Sequence, residues 1–275
     1  MERVLAKEKT IHLNRYFHFC ELMKDTTIEG DFVRERSDYD GSLLTVFTLR
    51  PANKKPKRLF FFFHGMDGDA GDGVVVRDLV KVFSAKIVCL GGRGPSWLSD
   101  AFLADAGQII RQHSKGFSDF ILMGVSMGGS QALALAGLLA EKERKKVCGV
   151  AVFIPGSNLE AIANHSSHAR VKKTLRESMK KESSLLERSP IHLIKQYPKG
   201  LPFVMMYREE DTLLLTEELK RFIAELRKSG HPVGLFSAPG NHEFTYTNLD
   251  YERVLAELGK DSGEPRPVPL IASSR

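Results

Sequence analysis

Hydrophobic residues along the chain gather into short unbroken runs, separated by longer stretches in which they recur every three or four positions. The runs predict strands at Leu43–Leu49, Arg58–Phe63, Lys86–Leu90, Asp119–Val125, Val147–Ile154, Phe203–Tyr207 and Val233–Ser237. Unbroken apolar runs, unlike alternating ones, suit strands covered on both faces, as in parallel sheets. The stretches between them predict helices at Val74–Phe83, Ala101–His113, Met127–Glu143, Glu217–Ser229 and Phe244–Leu258. Thr216, followed by Glu217 and Glu218, is a helix start signal, and Gly230 a stop. Strand and helix alternate, so the expected fold is α/β: a mainly parallel central sheet flanked by helices.

The alternation lapses in three places. Residues 1–27 read as an N-terminal extension, an added edge strand or helix. The interval 156–200 carries one or two polar helices between two sheet strands, so it is expected to form a small helical cap over one end of the sheet. The tail 259–275, with EPRPVPLIASSR, is rich in proline and polar residues and reads as a flexible arm. No internal repeat is visible. The parse is one domain over 28–258, with the cap inserted at about 156–200.

Composition narrows the class without naming a function. The chain has 275 residues, 42% of them hydrophobic and 27% charged, ordinary for a soluble globular protein. No apolar run approaches the roughly 20 residues needed to cross a bilayer. The N-terminus lacks the apolar core of a secretory signal. Three scattered cysteines, with Cys89 and Cys148 in apolar strand runs, suit a reducing compartment, so a cytoplasmic location is expected. The net charge is +6, and Arg170–Arg188 alone holds seven basic and three acidic residues, +4 of that total. A solvated helical face accounts for such a run; the sharper reading is a basic lid that attracts an anionic substrate. No nucleic-acid-binding pattern accompanies it, so nucleic acid is not an expected partner.

The chemistry is concentrated at FILMGVSMGGSQALALAG. A fully apolar strand ends on Ser126, flanked by Gly124 and Gly128, and a long helix pattern follows. A sharp strand-to-helix turn lifts a hydroxyl clear of the sheet, and glycines leave room for the backbone crossing. The N–H groups of the following helix point at the same spot and favour developing negative charge. Simple N-capping by Ser126 would explain a serine but not glycines on both sides.

A serine hydroxyl needs a base, and the base needs an orienting acid. Among nine histidines, His242 lies in the short loop of APGNHEF, directly after a predicted strand. REEDTLLLTEEL follows the strand ending at Tyr207, and Asp211 is the favoured acid, with Glu209 and Glu210 as substitutes and Glu160 a weaker one. Two N–H donors for an oxyanion are expected from Met127, at the helix start, and Met66, in the glycine-rich loop after FFFFHG. His64 directly follows that strand and stands apart from the other histidines. His165 and His168 have helical metal-ligand spacing but lack a third ligand in the sequence nearby, so no metal is expected.

Taken together, FFFFHGMDG, ILMGVSMGGSQALALA, REEDTLLLTEEL and GNHEF, in that order and each after its own strand, resemble the α/β-hydrolase superfamily from about Leu43 to Leu258. The resemblance implies an eight-stranded mixed sheet, a Ser126–His242–Asp211 triad and acyl transfer through an acyl-enzyme without a cofactor. It also implies that Gly65 lies close to the substrate carbonyl, and that Arg93 and Trp97, in GGRGPSWLSD, shape the acyl or alcohol pocket, although Trp97 could equally pack under its loop. The expected activity is a serine hydrolase acting on a carboxylic ester or thioester, with a small-molecule or acylated partner. An acyltransferase would use the same triad, and a non-catalytic binding protein would keep only the fold.

Overall fold

The computed structural model describes residues 25–242. Eight strands form one sheet: β1 (Ile28–Arg36), β2 (Leu43–Pro51), β3 (Arg58–Phe63), β4 (Ala85–Leu90), β5 (Phe120–Val125), β6 (Val147–Phe153), β7 (Phe203–Arg208) and β8 (Val233–Ala238). Their order is β1-β2-β4-β3-β5-β6-β7-β8. β2 runs antiparallel to both of its neighbours, and every ladder from β4 across to β8 is parallel. All seven strands expected from the apolar runs are present, with boundaries shifted by no more than two residues.

The four-phenylalanine run of β3 shows why the pattern is unbroken. Leu59, Phe61 and Phe63 point into one core and Phe60 and Phe62 into the other, and all are 3% exposed or less. With both faces of a strand covered, neither half of the alternation can be polar. β1 is the strand the pattern misses. Its sequence IEGDFVRER is exposed over most of its length, and it is held by antiparallel pairing with β2 from Ile28–Pro51 to Arg36–Leu43.

Among the described residues seven α-helices connect the strands: α1 (Asp78–Phe83), α2 (Asp100–His113), α3 (Met127–Leu138), α4 (Glu141–Arg144), α5 (Leu159–His165), α6 (Ala169–Lys181) and α7 (Thr216–Lys228). Two expected helices differ. The stretch read as Val74–Phe83 divides into a 3-10 segment, Ala70–Val76, opened by an Asp69–Asp72 capping box, and the short α1. The stretch read as Met127–Glu143 breaks at Leu139 and Ala140, whose ψ angles of 148° and 149° leave the helical region, and resumes as α4. The apolar pattern runs through this break, so no residue announces it. The expected helix Phe244–Leu258, most of the N-terminal extension and the tail lie outside the described residues.

Between β6 and β7 lie α5, α6 and three 3-10 turns at Ser183–Leu185, Pro190–His192 and Ile194–Gln196. Leu159, Ile162, Val171 and Leu175 from this insertion belong to the same buried cluster as α3 and the inner side chains of β5. Each such aliphatic side chain contributes roughly 1.5–3 kcal/mol on burial. The insertion is thereby seated on the sheet domain rather than packed around a core of its own.

Candidate active site

Parallel strands send their carboxyl ends to one edge, where α/β sheets collect functional loops. Here the loops after β3, β5, β7 and β8 carry His64–Met66, Ser126, Asp211 and His242 respectively.

Ser126 occupies the single residue between β5 and α3, at φ 56° and ψ −121°, a region an L-residue enters only under constraint. Two close backbone approaches impose it. A Cβ on Gly124 would collide with the carbonyl of Gly128, and one on Gly128 with the carbonyl of Phe63. Ser126 N–H donates to Phe153 O at 2.9 Å, and its carbonyl accepts from Ser130 N–H at 3.1 Å. Its hydroxyl caps no helical N–H, so the capping explanation of this serine is not met.

Instead, Ser126 Oγ lies 2.9 Å from His242 Nε2, and His242 Nδ1 lies 2.6 Å from Asp211 Oδ2. The side chain of Asp211 is 5% exposed and that of His242 14%. Asp211 Oδ1 accepts from the N–H groups of Leu213 at 2.8 Å and Leu214 at 3.0 Å. With one carboxylate oxygen held by backbone donors, the other is free to orient the imidazole, which places the proton on Nδ1 and leaves Nε2 to accept from the serine.

The competing carboxylates serve neighbouring roles. Glu209 Oε1 accepts from Ser237 Oγ at 2.9 Å, and Glu210 accepts from the N–H of Gly240. Glu209 thus ties the acid loop to the end of β8, and Glu210 ties it to the loop that follows. Asn241 Oδ1 completes the junction, accepting from His242 N–H at 2.8 Å and Thr212 N–H at 3.3 Å.

Gly65 sits against the serine: a Cβ built on it would lie 3.7 Å from Ser126 Cβ. Met127 is the first residue of α3, so its N–H has no intrahelical partner. The Met66 N–H makes no hydrogen bond among the described residues. His64, which sequence reasoning left without a role, organises this loop. It is 4% exposed; Nδ1 is 2.7 Å from Gly65 O, and Nε2 accepts from Gly92 N–H at 2.9 Å. A carbonyl can only accept and an amide N–H can only donate, so the ring carries its proton on Nδ1. The loop after β3 is thus pinned to the loop after β4. The only signal was the position of His64 at the end of its strand.

Arg93 is not brought to the serine by any contact. Its guanidinium donates to Asp105 at 2.6 and 3.1 Å, to Ser37 Oγ at 2.9 Å and to both oxygens of Asp40. Asp40 first, then Asp105, raise its pKa further above the ordinary arginine value. It ties the β1–β2 turn to α2, and its donors are spent there. Trp97 takes the packing alternative: it is 1% exposed at φ 44°, donates from Nε1 to Thr174 Oγ1 at 3.3 Å, and accepts at its carbonyl from Gln131 Nε2 at 2.8 Å. His165 ends α5 and His168 precedes α6, so the two do not share the helix their spacing suggested. Of the two cysteines in apolar strand runs, Cys89 is buried and Cys148 exposed. Among the described residues no group of three His, Cys, Asp or Glu is placed to hold a metal ion, and no helix is long and apolar enough to cross a membrane. A half-open cavity of about 310 Å³ between α2 and the end of α3 is lined by none of the site residues.

No family model and no curated protein sequence matches the chain. Solved structures do. S-formylglutathione hydrolase (FrmB) from Staphylococcus aureus superposes with a TM-score of 0.66 at 14% identity, covering 84% of this chain and 98% of that one. Esterase 2 from Thermogutta terrifontis, in a structure phosphonylated by sarin, gives 0.65 at 21% identity, covering 83% and 92%. An acylaminoacyl peptidase from Pyrococcus horikoshii gives 0.63 at 16% identity, covering 80% of this chain and 38% of that larger one. The strand order, the antiparallel β2 and these superpositions establish the α/β-hydrolase fold.

Proposed function

We propose that the protein is a serine hydrolase that cleaves a carboxylic ester or thioester through an acyl-enzyme on Ser126. The observation that carries this reading is the unbroken hydrogen-bonded chain from Asp211 through His242 to Ser126, at 2.6 and 2.9 Å. The esterase and hydrolase names of similarly folded proteins support it. As Ser126 Oγ attacks the carbonyl carbon, its proton passes to His242 Nε2. Asp211 Oδ2 stabilises the imidazolium through Nδ1–H, and the N–H groups of Met127 and Met66 donate to the oxyanion. The imidazolium then protonates the leaving alcohol or thiol as the carbon–leaving group bond breaks. Water, deprotonated by the same nitrogen, releases the acid and restores the serine.

The α5–α6 insertion acts in this reading as a cap over the site, and its charge bears on substrate choice. Arg170 pairs with Asp67, Lys173 lies 4.0 Å from Glu177, and Arg188 pairs with Asp100 and Glu182. Lys172, Arg176 and Lys180, four residues apart along α6, form no ion pair among the described residues. They give the outer face of the cap a positive field that favours an anionic substrate.

Hydrolysis of p-nitrophenyl esters and short acyl thioesters by the native protein and by Ser126→Ala tests the proposal. Turnover that the variant loses is expected. Equal turnover by both would overturn it.

A further inference from the structure

One short stretch of the insertion touches both loops that flank Ser126. At its start, Ser167 N–H donates to Thr212 O at 3.0 Å, and Thr212 Oγ1 donates to Ser167 Oγ at 2.9 Å. Thr212 directly follows Asp211, and through Asn241 it also reaches the backbone of His242. Further along, in the first turns of α6, Arg170 pairs with Asp67 Oδ1 at 2.7 Å, and Thr174 Oγ1 lies 3.7 Å from Met66 Sδ. Met66 and Asp67 are the proposed oxyanion donor and its neighbour. Thr174 Oγ1 also accepts the indole N–H of Trp97 at 3.3 Å, while the hydroxyl lies within bonding distance of Val171 O at 3.2 Å. The hydroxyl has a single proton for two acceptors, Val171 O and Met66 Sδ, so Thr174 meets Met66 as a shared hydrogen bond and a packing contact while it accepts from Trp97. Val171 and Leu175, 3% and 0% exposed, anchor the same turns of α6 in the core.

None of these polar contacts is strong in itself; the Arg170–Asp67 pair is more than half exposed at both ends, and such pairs contribute about 0–1 kcal/mol. Their placement is what matters. Misplacing a reacting group by about 1 Å costs on the order of a hundredfold in rate, far more than the contact contributes to stability.

We propose that Ser167–Thr174 is a positioning strap, in which Ser167, Arg170 and Thr174 hold the Met66 loop and the Asp211 loop at a fixed separation across Ser126. The strap rests on the hydrolase reading for its consequence in catalysis, and on the contacts alone for its mechanical claim. Two unconnected local contacts would stiffen each loop separately. A strap couples them, so slackening one end loosens the other.

The test uses the full-length protein with Thr174→Val plus Arg170→Gln, and Thr174→Ser as the conservative control. Amide hydrogen exchange is followed in peptides spanning residues 64–72 and 208–215, together with kcat and KM on p-nitrophenyl acetate. The double variant is expected to raise exchange several-fold in both peptides, including the distant 208–215, and to lower kcat about tenfold, with KM within about twofold of the native value. Thr174→Ser should match the native protein. Exchange that rises only in 64–72, exchange that is unchanged, or a rise in KM with kcat intact would overturn the strap. The exchange readout needs no turnover. If the native protein is inert on every ester and thioester, the hydrolase reading falls, while coupled loosening still upholds the strap and its absence still overturns it.

Discussion

Among the described residues, two histidines stand between a carboxylate and a second polar group, and one of the two faces a hydroxyl. His242 has Asp211 at Nδ1 and Ser126 at Nε2. His113, at the end of α2, has Glu35 Oε1 at Nε2 and the ammonium of Lys86 at Nδ1, each 3.1 Å away. An ammonium can only donate, so the His113 lone pair at Nδ1 is already occupied and its proton points to Glu35. Burial first, then the Lys86 charge, hold its pKa below the usual histidine value. The same imidazole–carboxylate pairing thus leaves a lone pair directed at the Ser126 hydroxyl at the carboxyl edge of the sheet, and has that lone pair filled by Lys86 near the start of β4. What differs is the group on the second nitrogen.

The largest effects should fall on the His242 side. Replacing Ser126 with alanine should lower kcat/KM on the order of 10⁶-fold, and Asp211→Asn on the order of 10⁴-fold, because asparagine can donate to Nδ1 and favour the wrong tautomer. Steady-state kinetics on an ester that the native protein turns over would check both. His113→Gln should leave kcat within about twofold; a hundredfold loss would show that the two histidines are not functionally separate.

Next in size is the backbone that sets the serine. Gly128→Ala forces a methyl into the Phe63 carbonyl. Overpacking typically costs about 1–3 kcal/mol, and a rigid backbone neighbour puts this case at the upper end. A clear fall in Tm with loss of Ser126 labelling by a fluorophosphonate is expected, and an unperturbed Tm would mean that the crossing tolerates the added methyl.

The Ser126 turn was legible because its constraint is local: Gly124, Ser126 and Gly128 meet within five residues. The strands were legible because both faces of each carry apolar side chains. What escaped notice depends on distant partners. Arg93 is absorbed by Asp40, which lies 53 residues earlier, and His64 by the Gly92 N–H, 28 residues later. β1 shows no apolar run because most of it faces solvent. Asp211 was favoured over Glu209 and Glu210 for its place before the Leu213–Leu215 run, which left the two glutamates as substitutes. The backbone cradle of Leu213 and Leu214, together with burial, distinguishes it.

A smaller effect belongs to the cap. Charge reversal at Lys172, Arg176 and Lys180 should raise KM several-fold for anionic substrates and spare neutral ones, with the difference vanishing at about 1 M salt, where the Debye length falls to about 3 Å. Equal shifts for both substrate classes would remove the steering role.

The smallest prediction returns to His113. Because its folded pKa is depressed from 6.5, the unfolded chain takes up a proton first as the pH falls. Its contribution to stability is therefore present above about pH 6.5 and is lost as the pH drops toward the folded value. Tm measured from pH 8 to pH 5 should fall less steeply for His113→Gln than for the native protein; parallel curves would show that this histidine is not the group responsible.

The central claim is that Ser126 is an activated nucleophile, and covalent labelling with a fluorophosphonate, read by peptide mass spectrometry, tests it most directly. The account predicts one adduct on the peptide containing Ser126, absent in Ser126→Ala and strongly slowed in His242→Ala and Asp211→Asn. A folded native protein that takes up no label, or takes it up equally well without His242, would contradict it.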